Sequence, residues 1–136
     1  MVYVGSDVAL PLIEWRDHHP TMHVRPLESS EEAVRQHFKK AHVYYVGSHY
    51  GCGCGFLLGA CEDGEDSAEA AAAVDHSLSD LAEYLNTYSK DGPLEMYVVK
   101  GGQEETAPTE HVAVHPRNIP STEFKFKTGR MVTIEK

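Results

Sequence analysis

The chain has 136 residues, 41% hydrophobic and 24% charged, with 12 Lys and Arg against 21 Asp and Glu and a formal net charge of −9. One domain over 1–136 suits that length, with enough apolar material for a core that needs no staples. A field of this sign repels phosphate backbones and anionic lipid heads, so no nucleic acid and no membrane surface is expected as a partner; cations, basic partners and neutral small molecules remain open.

No apolar run approaches the roughly 20 residues of a spanning helix. The N-terminus lacks the basic region of a signal peptide. With an odd count of three cysteines, the expectation is a small soluble protein, cytoplasmic, in a reducing compartment.

Val2, Tyr3 and Val4 open a strand that Gly5-Ser6-Asp7 ends. Residues 8–20, with Pro11, Pro20 and the His18-His19 pair, read as a loop. Met22 to Val24 forms a second short strand, stopped by Pro26. Ser29-Ser30-Glu31-Glu32 fits a capping box, with Ser29 as cap and Glu32 at the third helical position. That predicts a short helix to about Phe38, with Val34 and Phe38 as its buried stripe. His42 to Val46 is β-branched and aromatic on both faces, which suits a central strand covered on both sides.

From about Ser67 to Lys90 the chain reads as one helix: Ala71, Val74, Leu78, Leu81, Leu85 and Tyr88 recur in steps of three and four. Glu65, Asp66 and Glu69 sit where the helix dipole favours acids, and Gly92-Pro93 supplies the stop. The apolar stripe serves either as core packing or as the seam of a homodimer through the 67–90 helix.

Leu94 to Val99 is a further strand and His111 to His115 an alternating one. The tail reads as a C-terminal β-hairpin. A three-residue loop with Gly129 or its neighbour left-handed sets Phe126 opposite Val132 and Phe124 opposite Ile134, burying both apolar pairs together. If the two helices are crossovers, the strands at 22–24, 42–46 and 94–99 run parallel. The whole is α+β: a single domain with a mixed β-sheet, one long and one short helix, and the hairpin.

Residues 47–61 hold all three cysteines and five of the eleven glycines. In open parallel sheets ligands bind beyond the carboxyl ends of strands, which is where this loop would leave the strand at 42–46. The pattern His49-x2-Cys52-x-Cys54-x6-Cys61 offers three thiolates and an imidazole, the donor set of a tetrahedral zinc site. Two sulfurs on one zinc lie about 3.7 Å apart, whereas side chains two apart on an extended strand are separated by about 6.6 Å. Cys52 and Cys54 therefore share a metal only where the backbone turns, which Gly51, Gly53 and Gly55 permit. The spacing is not that of a zinc ribbon.

Other chemistries compete for the loop. Cys52 and Cys54 can close a short, easily reduced disulfide, which makes a thiol–disulfide redox protein the enzyme-class alternative. No Lys or Arg lies beside them to lower a thiol pKa, however. Nucleophilic catalysis by either cysteine, with His49 or His42 as base, is a weaker fit. A glycine nest for an anion lacks the Gly-Lys-Ser/Thr ending of a phosphate loop. The bland account is three small buried hydrophobes in a non-enzymatic interaction module.

The run His42-Val43-Tyr44-Tyr45-Val46-Gly47-Ser48 followed by Gly51-Cys52-Gly53-Cys54-Gly55-Phe56 resembles a group of small uncharacterised bacterial proteins. The resemblance implies no activity and adds no catalytic residue. Elsewhere, His18, His19 and His23 with Trp15 and Asp17 read as surface groups or a second metal site. His111 and His115 share a side of their strand about 13 Å apart, too far to chelate one ion. His76 and Asp80, four apart on the long helix, form a solvated pair.

Overall fold

The computed structural model describes residues 2–14, 22–48, 68–90, 92–99, 103–119 and 129–135, and of residues 68–74 the backbone alone. Six strands form one mixed sheet in the order β2-β3-β1-β4-β6-β5. They are β1 (Val2–Ser6), β2 (His23–Pro26), β3 (His42–Gly47), β4 (Leu94–Val98), β5 (Glu110–Val114) and β6 (Arg130–Ile134). One long helix, α1 (Ala68–Tyr88), and a 3-10 helix (Ser29–His37) complete an α+β single domain.

The pairing corrects the parallel expectation. β2 is antiparallel to β3, β3 to β1, β1 to β4 and β4 to β6; β5 and β6 are the parallel pair. β3 and β4 do point the same way, because both oppose β1, but β1 lies between them. The crossover through α1 thus spans an intervening strand, which a count of helices and strands along the chain does not reveal.

β1 and β4 alternate between two buried faces. Val2, Val4, Leu94, Met96 and Val98 join Val46, Val132 and Ile134 beneath Leu81 and Leu85 of α1. Tyr3, Tyr97 and Val99 join Val43, Tyr45 and Met131 beneath Val34 and Phe38 on the other face. Period-2 alternation with both sides apolar is what a covered central strand requires. Leu81 and Leu85, at 0% exposure, spend the helix stripe on the core.

The short helix is wound as 3-10 and starts one residue earlier than the capping box predicts. The Glu28 N–H donates to Glu31 Oε1 at 2.8 Å, and the Glu31 N–H donates to the Glu28 carbonyl at 2.9 Å. Glu28 and Glu31 therefore fill the roles expected of Ser29 and Glu32. Glu31 and Val34 are buried and His37 half-buried, a spacing of three that matches the 3-10 repeat.

The tail departs from the hairpin register. Val132 lies opposite Met96 on one side and Val112 on the other, and Ile134 opposite Leu94 and Val114. Both edges of β6 are taken, so neither residue has Phe126 or Phe124 as its ladder partner; those phenylalanines lie outside the described residues. Gly129 is left-handed at φ 83°, as the turn preceding β6 requires.

Candidate functional site

The glycine–cysteine loop leaves β3 at Gly47 and Ser48, both buried. β3 is paired on both edges, to β1 and β2, so the root of the loop is fixed in the sheet. Its neighbours are antiparallel, so the loop does not leave a parallel switch point. His49, Cys52, Cys54 and Cys61 lie outside the described residues, as do Trp15, Asp17, His18 and His19. His42 opens β3, opposite Ser6, at the end of the strand away from the loop.

His23 lies on a strand, as the reading of 22–24 expects, but it is no surface group: it is the first residue of β2 and only 6% exposed. It lies opposite Gly47 in the ladder, and a Cβ at Gly47 would overlap its ring. Glycine is needed here for a close approach, not for backbone freedom. The ring lies 5.8 Å from that of Tyr45 and is hydrogen-bonded to the Ser48 backbone. Burial, with the nearby Arg25 charge, lowers its pKa below the ordinary 6.5 and keeps the imidazole neutral at the foot of the loop.

From His23 a polar network runs across this face. The Arg25 guanidinium grips Glu31 with both nitrogens, at 2.7 and 3.1 Å, and its carbon stands 3.9 Å above the centre of the Tyr45 ring. Burial alone would raise the Glu31 carboxyl. The Arg25 fork, the Glu28 N–H and the Tyr3 hydroxyl outweigh it and hold the group below its ordinary 4.5. Tyr3, at 0% exposure, has its hydroxyl 3.3 Å from Glu31 Oε2 and 3.3 Å from Glu104 Oε1. Its pKa is raised by burial first and by the two carboxylates next.

The same chemistry holds the 103–106 turn. The His37 Nε2–H donates to the Glu104 carbonyl at 2.9 Å, and the Tyr97 hydroxyl to the Thr106 carbonyl at 2.6 Å. Arg25 is committed to a carboxylate and Tyr3 is sealed from solvent, so the network secures the 3-10 helix and the turn to the sheet. Sequence reasoning missed it. The available signal was Arg25 alternating with His23 on a short strand, with Glu31 at the third position of the helix start.

His111 is exposed on β5, and His115 accepts the Arg117 N–H at 3.1 Å, capping a 3-10 turn at Pro116–Asn118. His76 and Asp80 are paired at 3.5 Å on α1. Among the described residues, no group of three or more His, Cys, Asp or Glu is arranged to hold a metal ion, and no helix is long and apolar enough to cross a membrane. No protein-family model matches the chain, and no curated protein or solved structure matches it either.

Proposed function

We propose that the chain is a small metal-binding protein whose zinc-type site is made by His49, Cys52, Cys54 and Cys61. The observation that carries the reading is the concentration of all three thiols and an imidazole in the segment between buried Ser48, at the end of β3, and Ala68, where α1 begins. Anchoring both ends of a loop lowers the entropy its ligands lose on converging. Gly51, Gly53 and Gly55 allow the turn that Cys52 and Cys54 need, and the net charge of −9 favours a cation.

Four protein ligands leave no open coordination position, so this reading is of binding and loop organisation, not of metal hydrolysis. It also suits a reducing cytoplasmic compartment, where cysteines stay unoxidised and free to give up their protons to a metal.

Elemental analysis of protein purified without a histidine tag tests it. Near-stoichiometric zinc or iron is expected in the parent, and marked loss in Cys52→Ser and in Cys61→Ser. Metal-free protein that gains two thiols on mild reduction would replace the reading with the Cys52/Cys54 redox one. Metal-free protein with three titrating thiols and a concentration-dependent mass would replace it with the interaction module.

A further inference from the structure

Beside α1, between its C-terminal half and Ile13 and Met22, lies a cavity of about 450 Å³. That volume falls in the range small organic ligands occupy. Ile13, Met22, Tyr84 and Tyr88 supply apolar and aromatic walls, and Asp80 and Glu83 supply carboxylates. The two tyrosine rings lie 4.8 Å apart, tilted by 56°. The Tyr84 hydroxyl donates to the Pro11 carbonyl at 2.8 Å, so this side chain offers the cavity ring and not hydroxyl.

The described charges on this flank are mostly acidic. α1 contains no Lys or Arg, and Asp80 and Glu83 lie in its C-terminal half, toward the negative end of the dipole. They are three apart, where like charges repel. Among the described residues lining the cavity, only His76 can become cationic, and it is 69% exposed with its Nε2 3.5 Å from Asp80. Asp80 is half-buried and Glu83 exposed, so the two carboxylates stand at the solvent rim of a hollow walled by aromatic and aliphatic side chains.

The walls decide which cation supplies it. A divalent metal needs several donors converging, and the described residues hold no such group. Aromatic faces beside carboxylates suit an organic ammonium carrying an apolar body.

We propose that this cavity binds a small organic amine in its protonated form. The ammonium sits at Asp80 and Glu83, and the apolar body lies along Tyr88, Met22 and Ile13. The proposal uses none of the cysteines and calls for no metal.

The test titrates 2-phenylethylammonium chloride into the full chain, followed by amide chemical shifts, with 2-phenylethanol at matched ionic strength as the neutral probe. Saturable shifts along residues 76–88 and at Ile13 and Met22 are expected for the ammonium, with binding about ten-fold weaker for the alcohol. Asp80→Asn/Glu83→Gln should lose about ten-fold in affinity for the ammonium and melt no lower than the parent. Asp75→Asn, an exposed acid of α1 outside the cavity, should bind as the parent does. Equal binding of alcohol and ammonium to the parent chain, absence of saturation, or unchanged affinity in the double variant would each overturn the proposal.

Discussion

The two faces of the sheet are held by different physics. Under α1 the contacts are almost all aliphatic: Val4, Leu81, Leu85, Leu94, Met96, Val132 and Ile134 exclude water and make few directional demands. Under the 3-10 helix the layer is built on Tyr3, Tyr45 and Tyr97, with Arg25, Glu31 and Glu104 embedded among them. The first face is stabilised by apolar area, which is insensitive to protons. The second depends on charge and hydrogen-bond geometry, so it should respond to pH and to single-atom changes.

The difference follows from helix type. α1 presents a wide apolar stripe that can cover a sheet on its own. The nine-residue 3-10 helix brings few side chains inward, among them Glu31 and Val34. A carboxylate in that position must be paired, and Arg25 does so from β2.

The largest effect should come from the aliphatic face. Leu85→Ala removes a side chain at 0% exposure and should cost about 2–5 kcal/mol, read from the denaturation midpoint. On the polar face, Glu31→Ala leaves Arg25 without its carboxylate. Because Arg25 is 31% exposed and can rehydrate, the cost should sit near the low end for a broken buried pair, about 3 kcal/mol. A double-mutant cycle with Arg25→Met should then show coupling, and additivity would mean the pair is not formed.

The proton dependence sharpens the contrast. His23 has a folded pKa below the unfolded 6.5, so the unfolded chain binds more protons as pH falls beneath that value. Its contribution is complete above 6.5 and is lost as pH drops toward the folded value. Glu31 is depressed below 4.5, so its contribution is complete above 4.5 and lost at lower pH. Thermal midpoints should fall in two acid steps. His23→Gln should flatten the upper one and Leu85→Ala neither.

The smallest expected effect is Tyr3→Phe, which deletes one hydroxyl and keeps the ring. It should cost about 1 kcal/mol and speed amide exchange in the 103–106 turn, where Glu104 loses its Tyr3 contact. Unchanged exchange there would mean that the hydroxyl does not secure the turn.

Much of the fold was legible because periodicity is local. Leu78, Leu81, Leu85 and Tyr88 announced α1 and its inward face, and the alternation of Val2, Tyr3 and Val4 fits β1. Strand order was not legible. Nothing in β1 says that it will insert between β3 and β4, because that outcome depends on pairing across dozens of residues. The β6 register failed for the same reason: a hairpin is the cheapest local partner, but β4 and β5 together offer two ladders and two apolar faces.

Of the sites, the cysteine loop was visible at once, since thiols and glycines mark themselves by composition. The Tyr3–Glu31–Arg25 network was hidden, because Tyr3 stands 28 residues from Glu31 and meets the Arg25–Glu31 pair only when β1 and β2 flank β3. His23 shows the same limit. Its burial follows from Gly47 lying opposite, a relation between strands and not between neighbours in the chain.

Thiol titration with and without a strong chelator tests the central claim most directly. The account predicts that the cysteines of freshly isolated protein react slowly, and that chelation exposes all three while releasing one metal ion per chain. Three thiols that react at once and equally, with no metal released, would contradict it.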